Sequence, residues 1–289
     1  MIVPRRSALY IPGDKPRALA KAATVASDCL IFDWEDAVAP AAKAAARDRV
    51  LAALSAQDFG HRERVIRVNG LDTPWGGEDV GAVAAADCDA VLFPKIESPE
   101  QVLGVAAALA DAGARPSLPI WLMAETPRAV LDIDAIAGAH PAVSVIVMGT
   151  SDLAKALRAR HTVGREAMLG ALSQCVLAAR AHGLDILDGV HLDLADDGGL
   201  AAACNQGRTL GFDGKTLIHP RQIAAANAAF GVSSQAFRDA VRLLEAWEES
   251  AARDQGVTVV NGRLVERLHA DTARRTVALY QAVAARSDV

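Results

Sequence analysis

Two carboxylates stand at equivalent places in consecutive stretches of this chain. Ile120-Trp121-Leu122-Met123-Ala124 is an apolar run too short for a helix, and it is followed at once by Glu125, Thr126 and Pro127. Val143-Ser144-Val145-Ile146-Val147-Met148 repeats the pattern and ends at Gly149-Thr150-Ser151-Asp152. Continuous apolar runs between helical stretches are those of strands in a parallel sheet covered on both faces. Glu125 and Asp152 are therefore expected just past the carboxyl ends of neighbouring strands, on one rim. Paired carboxylates in a mouth suit a hard divalent cation such as Mg2+, which takes few protein ligands and leaves positions open for substrate oxygens. Either acid alone could equally cap the helix that follows it. Their recurrence in consecutive units favours the metal.

The other strand ends add to this pair. Ser7–Ile11 leads into Pro12-Gly13-Asp14-Lys15-Pro16, Cys29–Phe32 delivers Asp33-Trp34-Glu35-Asp36, and Glu63–Val68 ends at Asn69-Gly70. Ala90–Phe93 ends at Pro94-Lys95, Ile186–Val190 is a weaker strand, and Gly211–Ile218 closes with His219-Pro220. Arg67 is the telling residue. A guanidinium at a strand terminus can clamp a carboxylate bidentately while a metal chelates that carboxylate and an adjacent keto oxygen. Its alternative is an internal ion pair with Glu35 or Asp36. Those two acids are expected to orient Arg67 or to accept hydrogen bonds from metal-bound water, and Asp33 is expected to be structural. Lys95 either bonds a substrate oxygen or pairs with Glu97. Arg5, Arg6, Lys15 and Lys21 flank the first strand, where a solvated basic edge is the simpler reading and a phosphate-binding rim the other. His191 and His219 are expected to be structural.

Eight strands spaced roughly 25 to 35 residues apart and alternating with helices are what a (β/α)8 TIM barrel requires. A doubly wound open sheet is the runner-up, but no Gly-rich fingerprint follows the first strand. The pattern changes near Ser233, so residues 1–232 are assigned to the barrel and 233–289 to a C-terminal extension. That extension is two helices flanking a hairpin with an Asn261-Gly262 turn. The 289 residues are 52% apolar with a net charge of −5, which supplies a large core and excludes the concentrated basic face of a nucleic-acid binder. No run reaches membrane-spanning length, and the N-terminus lacks a signal-peptide core. The four dispersed cysteines read as buried thiols of a cytoplasmic protein.

In order along the chain, these segments resemble the citrate lyase β-subunit / malyl-CoA lyase family of the HpcH/HpaI aldolase group. The resemblance is carried by Arg6–Gly13, Asp33–Val38, Arg67-Val68-Asn69, Pro94-Lys95, Glu125-Thr126, Gly149–Leu153, Gly211–Lys215 and Ile218-His219-Pro220. It implies a (β/α)8 barrel, Mg2+ as cofactor, and a carbon–carbon bond made or broken between an acyl-CoA enolate and a 2-oxo acid. By position, Glu125 and Asp152 would be the metal ligands and Arg67 the oxo-acid clamp, while Arg6 and Lys15 would face the CoA phosphates. It further implies trimers or hexamers in which one subunit's C-terminal segment covers the next subunit's site. Two places depart from the family pattern. Trp34 replaces a Leu, and Gly262-Arg263-Leu264-Val265-Glu266-Arg267-Leu268 stands where Gly-x-Met-Ile/Val-Asp-x-Pro is usual. Glu266 would thus take the place of an acid/base Asp, one methylene longer and without the Pro. The expectation is a Mg2+-dependent lyase of malyl-, citramalyl- or citryl-CoA. Its rivals are a thioesterase on such a thioester and a non-catalytic binding relative.

Overall fold

The computed structural model describes residues 2–251, 256–260 and 262–286. Its eight parallel strands are β1 (Ser7–Pro12), β2 (Cys29–Asp33), β3 (Glu63–Arg67), β4 (Ala90–Phe93), β5 (Ile120–Ala124), β6 (Val143–Met148), β7 (Asp185–Asp188) and β8 (Gly214–Leu217). They close in sequence order, with β8 returning to β1. Helices follow the strands, so the fold is a (β/α)8 barrel. Each strand is short because its punctuation is strong. Ser98 accepts the Gln101 N–H and Thr126 accepts the Ala129 N–H, each with Pro at the first helical position, so a helix starts within a few residues of the strand end.

Alternation sorts the strand residues into two cores. Ala8, Ile31, Val65, Leu92, Trp121, Val145 and Leu187 fill the interior of the barrel, while Leu30, Phe32, Ile66, Val91, Phe93, Leu122 and Ile146 pack under the helices. Polar groups close both ends. At the amino ends, Arg5 grips both oxygens of Glu63 at 2.7 Å, reaches Asp185 at 2.5 Å, and lies over the Trp121 ring.

The described chain divides into two compact units, Arg5–Phe230 and a second made of residues 2–4 with 231–286. In the second, helices Ser234–Ala251 and Arg267–Ala284 pack together, with Phe237 stacked on Tyr280 at 4.2 Å. A two-stranded antiparallel ribbon, β9 (Thr258–Val260) and β10 (Arg263–Val265), joins them. Asn261 of the expected turn lies outside the described residues; Gly262 has a φ of 75°, a conformation glycine adopts without strain. Among the described residues no helix is long and apolar enough to cross a membrane.

One buried lysine ties the outer layer to the upper rim. Lys43, 6% exposed, donates to the carbonyls of Trp34 (2.9 Å) and Glu35 (2.8 Å) and to Asn69 Oδ1 (2.7 Å). It holds the loops after β2 and β3 against the helix that begins at Lys43. Lys43→Met keeps the stem but removes the donor to Asn69 Oδ1 and the second donor to the Trp34 and Glu35 carbonyls, which keep the Asn69 amide and the Val38 N–H. An unsatisfied buried group is costly, so a loss of about 1–3 kcal/mol is expected. Urea unfolding of the two proteins measures it; an unchanged midpoint would contradict the role.

Candidate active site

The carboxyl ends of the strands surround a cavity of about 420 Å3. Tyr10, Asp33, Asp36, Arg67, Glu125 and Asp152 supply its polar wall, and Met123, Met148, Val190 and Ile218 its apolar one. The structure thus brings together four residues expected from the sequence: Asp36, Arg67, Glu125 and Asp152. Glu35 stands directly behind them.

Arg67 is held more tightly than the clamp reading anticipated. Cα register pairs Asp33 with Arg67 across β2 and β3. The Asp33 carboxylate takes Arg67 Nε at 2.7 Å and Nη2 at 2.6 Å. Asp33 is structural as expected, but its partner is the arginine itself. Tyr10 lies against the guanidinium, 4.8 Å from ring centre to Cζ. The remaining nitrogen, Nη1, is 3.0 Å from Glu35 Oε2 and 3.9 Å from Asp36. Asp33 thus takes one edge of the fork, and Nη1, which also reaches Met123 Sδ at 3.9 Å, is the nitrogen that a ligand anion would share with Glu35. Burial opposes the charge on Arg67, but Asp33 and its neighbours more than restore it, and its pKa is raised.

Glu125 is 1% exposed, and Thr126, not Glu125, caps the helix that follows. Its Oε1 accepts the backbone N–H of Lys95 at 2.7 Å. The turn after β6 comes so close that a Cβ on Gly149 would fall 2.3 Å from Glu125 Cβ and 2.8 Å from its Oε2. Only glycine allows that approach, which brings the Thr150–Ala156 helix and its first-turn Asp152 to the same cavity. Burial first, then the charge of Glu35, pushes the Glu125 carboxyl up to about 8; the Arg67 charge and the Lys95 bond offset only part. A buried carboxyl with one oxygen committed and a second acid nearby is suited to a cation. Among the described residues no cluster of three or more His, Cys, Asp or Glu is arranged to hold a metal. Two hard carboxylates fit Mg2+, which retains water and substrate oxygens in the rest of its sphere.

Lys95 pairs with Glu35 (2.5 Å), not with Glu97. Burial would lower its pKa, but the hydrogen bond and charge of Glu35, with Asp36 and Glu125, raise it instead, so it remains an ammonium. Asn69 is a scaffold residue, bonded to Trp34 and Asp79. His219 accepts the Arg221 N–H at the start of its helix. Trp34 is fully buried, and its indole nitrogen has no hydrogen-bond partner among the described residues.

The basic residues of the first strand do not gather at this rim. Arg6 precedes β1, so it lies at the amino end of the barrel, where Asp28 takes its guanidinium bidentately through Nε and Nη2 at 2.8 and 2.9 Å. That position and that pairing correct the expectation that Arg6 faces CoA phosphates. Lys15 follows β1 and is on the cavity's rim, exposed and beside Asp14, but it is not in the cavity wall. Glu266 belongs to the second unit. It is half-buried at the start of helix Arg267–Ala284, and its N–H donates to His269 Nδ1 at 3.0 Å. Lys43 and the Asp33–Arg67 pairing had no local sequence signal; Asp33 is distinguished only by standing in register with Arg67 on the next strand.

The raised Glu125 pKa has a consequence for metal binding. A cation must displace the proton, so Mg2+ affinity should rise about tenfold per pH unit below about 8 and level off above it. Titration calorimetry in buffers of different ionisation enthalpy should show close to one proton released at pH 7. A pH-independent affinity in wild type, or one unchanged in Glu125→Gln, would contradict this.

Comparison with known proteins gives the family. Residues 6–220 match the HpcH/HpaI aldolase/citrate lyase family. The chain is 50% identical, over 98% of its length and 96% of the relative's, to a (3S)-malyl-CoA thioesterase of Cereibacter sphaeroides. It is 32% identical to the citrate lyase subunit beta of Leuconostoc mesenteroides subsp. cremoris, covering 96% of this chain and 94% of that one. The solved structure of CitE from Mycobacterium tuberculosis in complex with magnesium, acetoacetate and coenzyme A superposes with a TM-score of 0.75 at 32% identity, covering 94% of this chain and 97% of that one. This chain belongs to the HpcH/HpaI aldolase/citrate lyase family.

Proposed function

We propose that the chain is a Mg2+-dependent hydrolase of a malyl-CoA-type thioester. The observation that carries this is the 50% identity along nearly the whole chain to a malyl-CoA thioesterase, against 32% to the lyases of the family. Carbon–carbon cleavage of the same thioester, the sequence's first expectation, is supported at the level of the family and is the second reading.

Glu125 and Asp152 would hold Mg2+, which supplies charge to polarise the oxygens of the substrate's hydroxy-acid end. Arg67 receives the terminal carboxylate at Nη1 while Asp33 and Tyr10 fix its plane. Asp36 stands beside that corner. Met123, Met148, Val190 and Ile218 exclude bulk water from one wall, which strengthens each of these contacts. Hydrolysis adds water to the thioester carbon, breaks the carbon–sulfur bond, and releases the acid and the CoA thiol. We assign to Glu266, supplied to the barrel of a neighbouring copy in a trimer or hexamer, the removal of the proton from the attacking water and its delivery to the departing CoA thiolate. The exposed apolar side chains Val257, Val259, Leu264 and Leu268 of the C-terminal unit support a surface covered by another subunit. Lys15, on the open rim, would meet the CoA phosphates.

Incubation of the purified protein with Mg2+ and malyl-, citramalyl- or citryl-CoA, with products identified by mass, tests the reaction. Malate and free CoA are expected from malyl-CoA; acetyl-CoA and glyoxylate would establish the lyase reading instead. Glu266→Gln should bind Mg2+ normally and lose about 10²–10⁴-fold in turnover, the usual contribution of positioned acid–base catalysis. Mixing it with Glu125→Gln subunits should recover part of the activity. Full activity in Glu266→Gln alone would remove that residue from the mechanism.

A further inference from the structure

Lys95 does something that neither its place in the sequence nor the proposed reaction accounts for. It is the residue just after Pro94 at the end of β4, and its φ is 53°, in the left-handed region. A side chain with a Cβ adopts that conformation at a cost of about 1 kcal/mol or more, and such residues persist where surrounding contacts determine them. Two contacts do so here. The backbone N–H reaches Glu125 Oε1 at 2.7 Å, and Nζ reaches Glu35 Oε1 at 2.5 Å.

The second contact bears on Arg67. Asp33 occupies Nε and Nη2, which leaves Nη1 as the corner that can meet a ligand carboxylate. Glu35 Oε2 lies 3.0 Å from that same Nη1. An unbalanced, buried Glu35 carboxylate would hold Nη1 as its own counter-ion and repel an incoming anion. The Lys95 ammonium draws Glu35 through the opposite oxygen and balances its charge. Asp36, 3.7 Å from Nζ, is the other acid it faces.

We propose that Lys95 is a positioning residue for substrate binding: its ammonium neutralises Glu35 and so keeps Arg67 Nη1 available to the substrate's terminal carboxylate. Its backbone meanwhile fixes Glu125 independently of the side chain. The two halves of the site are thus separable at this one residue. The inference rests on the proposed use of the cavity by Mg2+ and a short hydroxy acid, but not on thioester hydrolysis.

The test uses Lys95→Asn and Lys95→Arg in the full chain. Asn tolerates the left-handed backbone and keeps the N–H while deleting the ammonium; Arg keeps the charge. Calorimetry measures Mg2+ alone, then malate at saturating Mg2+. Lys95→Asn should bind Mg2+ within about twofold of wild type, as Glu125 is still held, but malate about tenfold or more weakly, the scale of one charge-assisted contact. Lys95→Arg should recover malate affinity to within about threefold of wild type. In turnover with malyl-CoA the loss should fall on KM and leave kcat nearly unchanged. Unaltered malate affinity in Lys95→Asn would overturn the proposal. So would equal impairment of both variants, or a loss confined to Mg2+ affinity, because each marks a role in folding or metal binding rather than charge balance. If wild type binds Mg2+ and malate yet hydrolyses no thioester, the proposed reaction fails while the binding comparison still decides the role of Lys95.

Discussion

The pairing of Arg67 with Asp33 is the constraint on which the upper barrel depends. Both are buried, and they face each other in register across adjacent strands. A guanidinium in that position is tolerable only with a carboxylate in its plane; leaving either charge alone commonly costs about 3–5 kcal/mol. The same carboxylate accepts the backbone N–H groups of Glu35 and Ala37. Asp33 therefore shapes the loop that delivers Glu35 and Asp36 as well as orienting the arginine they surround. Packing of Tyr10 against the guanidinium removes the remaining freedom. The result is an arginine fixed by Asp33 and Tyr10 in the wall of the cavity. Such preorganisation is what a site for a small anion needs, since the ordering is complete before the ligand arrives.

From this pair the electrostatics propagate along the rim. Arg67 faces Glu35, Glu35 faces Lys95, and Lys95 bonds Glu125 through its backbone. The acids are not fully balanced by these cations. Glu125 in particular keeps a raised pKa, caused mainly by its own burial. Its counterpart at the other end of the barrel is different in kind. There Arg5 is engaged at all three nitrogens by Glu63 and Asp185, and Arg6 bidentately by Asp28. The amino end is a closed set of ion pairs and the carboxyl end an incomplete one, and incompleteness at a concave surface is the mark of a site that expects a ligand.

Much of this was legible in the sequence, and the exceptions have physical causes. Strand positions followed from short apolar runs, and β4, β5 and β6 fall on Ala90–Phe93, Ile120–Ala124 and Val143–Met148. Glu125, Asp152 and Arg67 could be collected because a parallel barrel sends every strand's carboxyl end to one rim. By the same rule Arg6, which precedes its strand, and Lys15, which follows it, lie at opposite ends of the barrel despite their proximity in sequence. Asp33 gave no sign of its partner because register between strands is a property of the closed barrel. Lys43 reaches the site from the following helix, and Lys95 depends on a left-handed backbone. Neither arrangement has a pattern in the neighbouring residues.

The cavity's chemistry also bears on how one family can contain both lyases and a thioesterase. In the proposed reading the groups that line it would act on the acid end of a substrate, whose recognition would be the same in either reaction. Carbon–carbon cleavage and thioester hydrolysis differ further along the molecule, in whether an enolate is protonated or water is delivered to the thioester carbon. A transition state is stabilised only by groups that meet the charge where it develops. Alterations among Asp33, Arg67, Glu125 and Asp152 would therefore impair both outcomes and choose neither. The choice belongs to whatever covers the thioester end. The resemblance to the family implies a departure at 262–268, where Glu266 would stand in place of an Asp and Leu268 in place of a Pro. In the proposed reading, a carboxylate lengthened by one methylene, on a segment freed of proline's fixed φ, would have the reach to hold a water where a shorter acid would meet the carbon itself. The barrel would then supply the grip shared across the family, and the C-terminal segment the outcome.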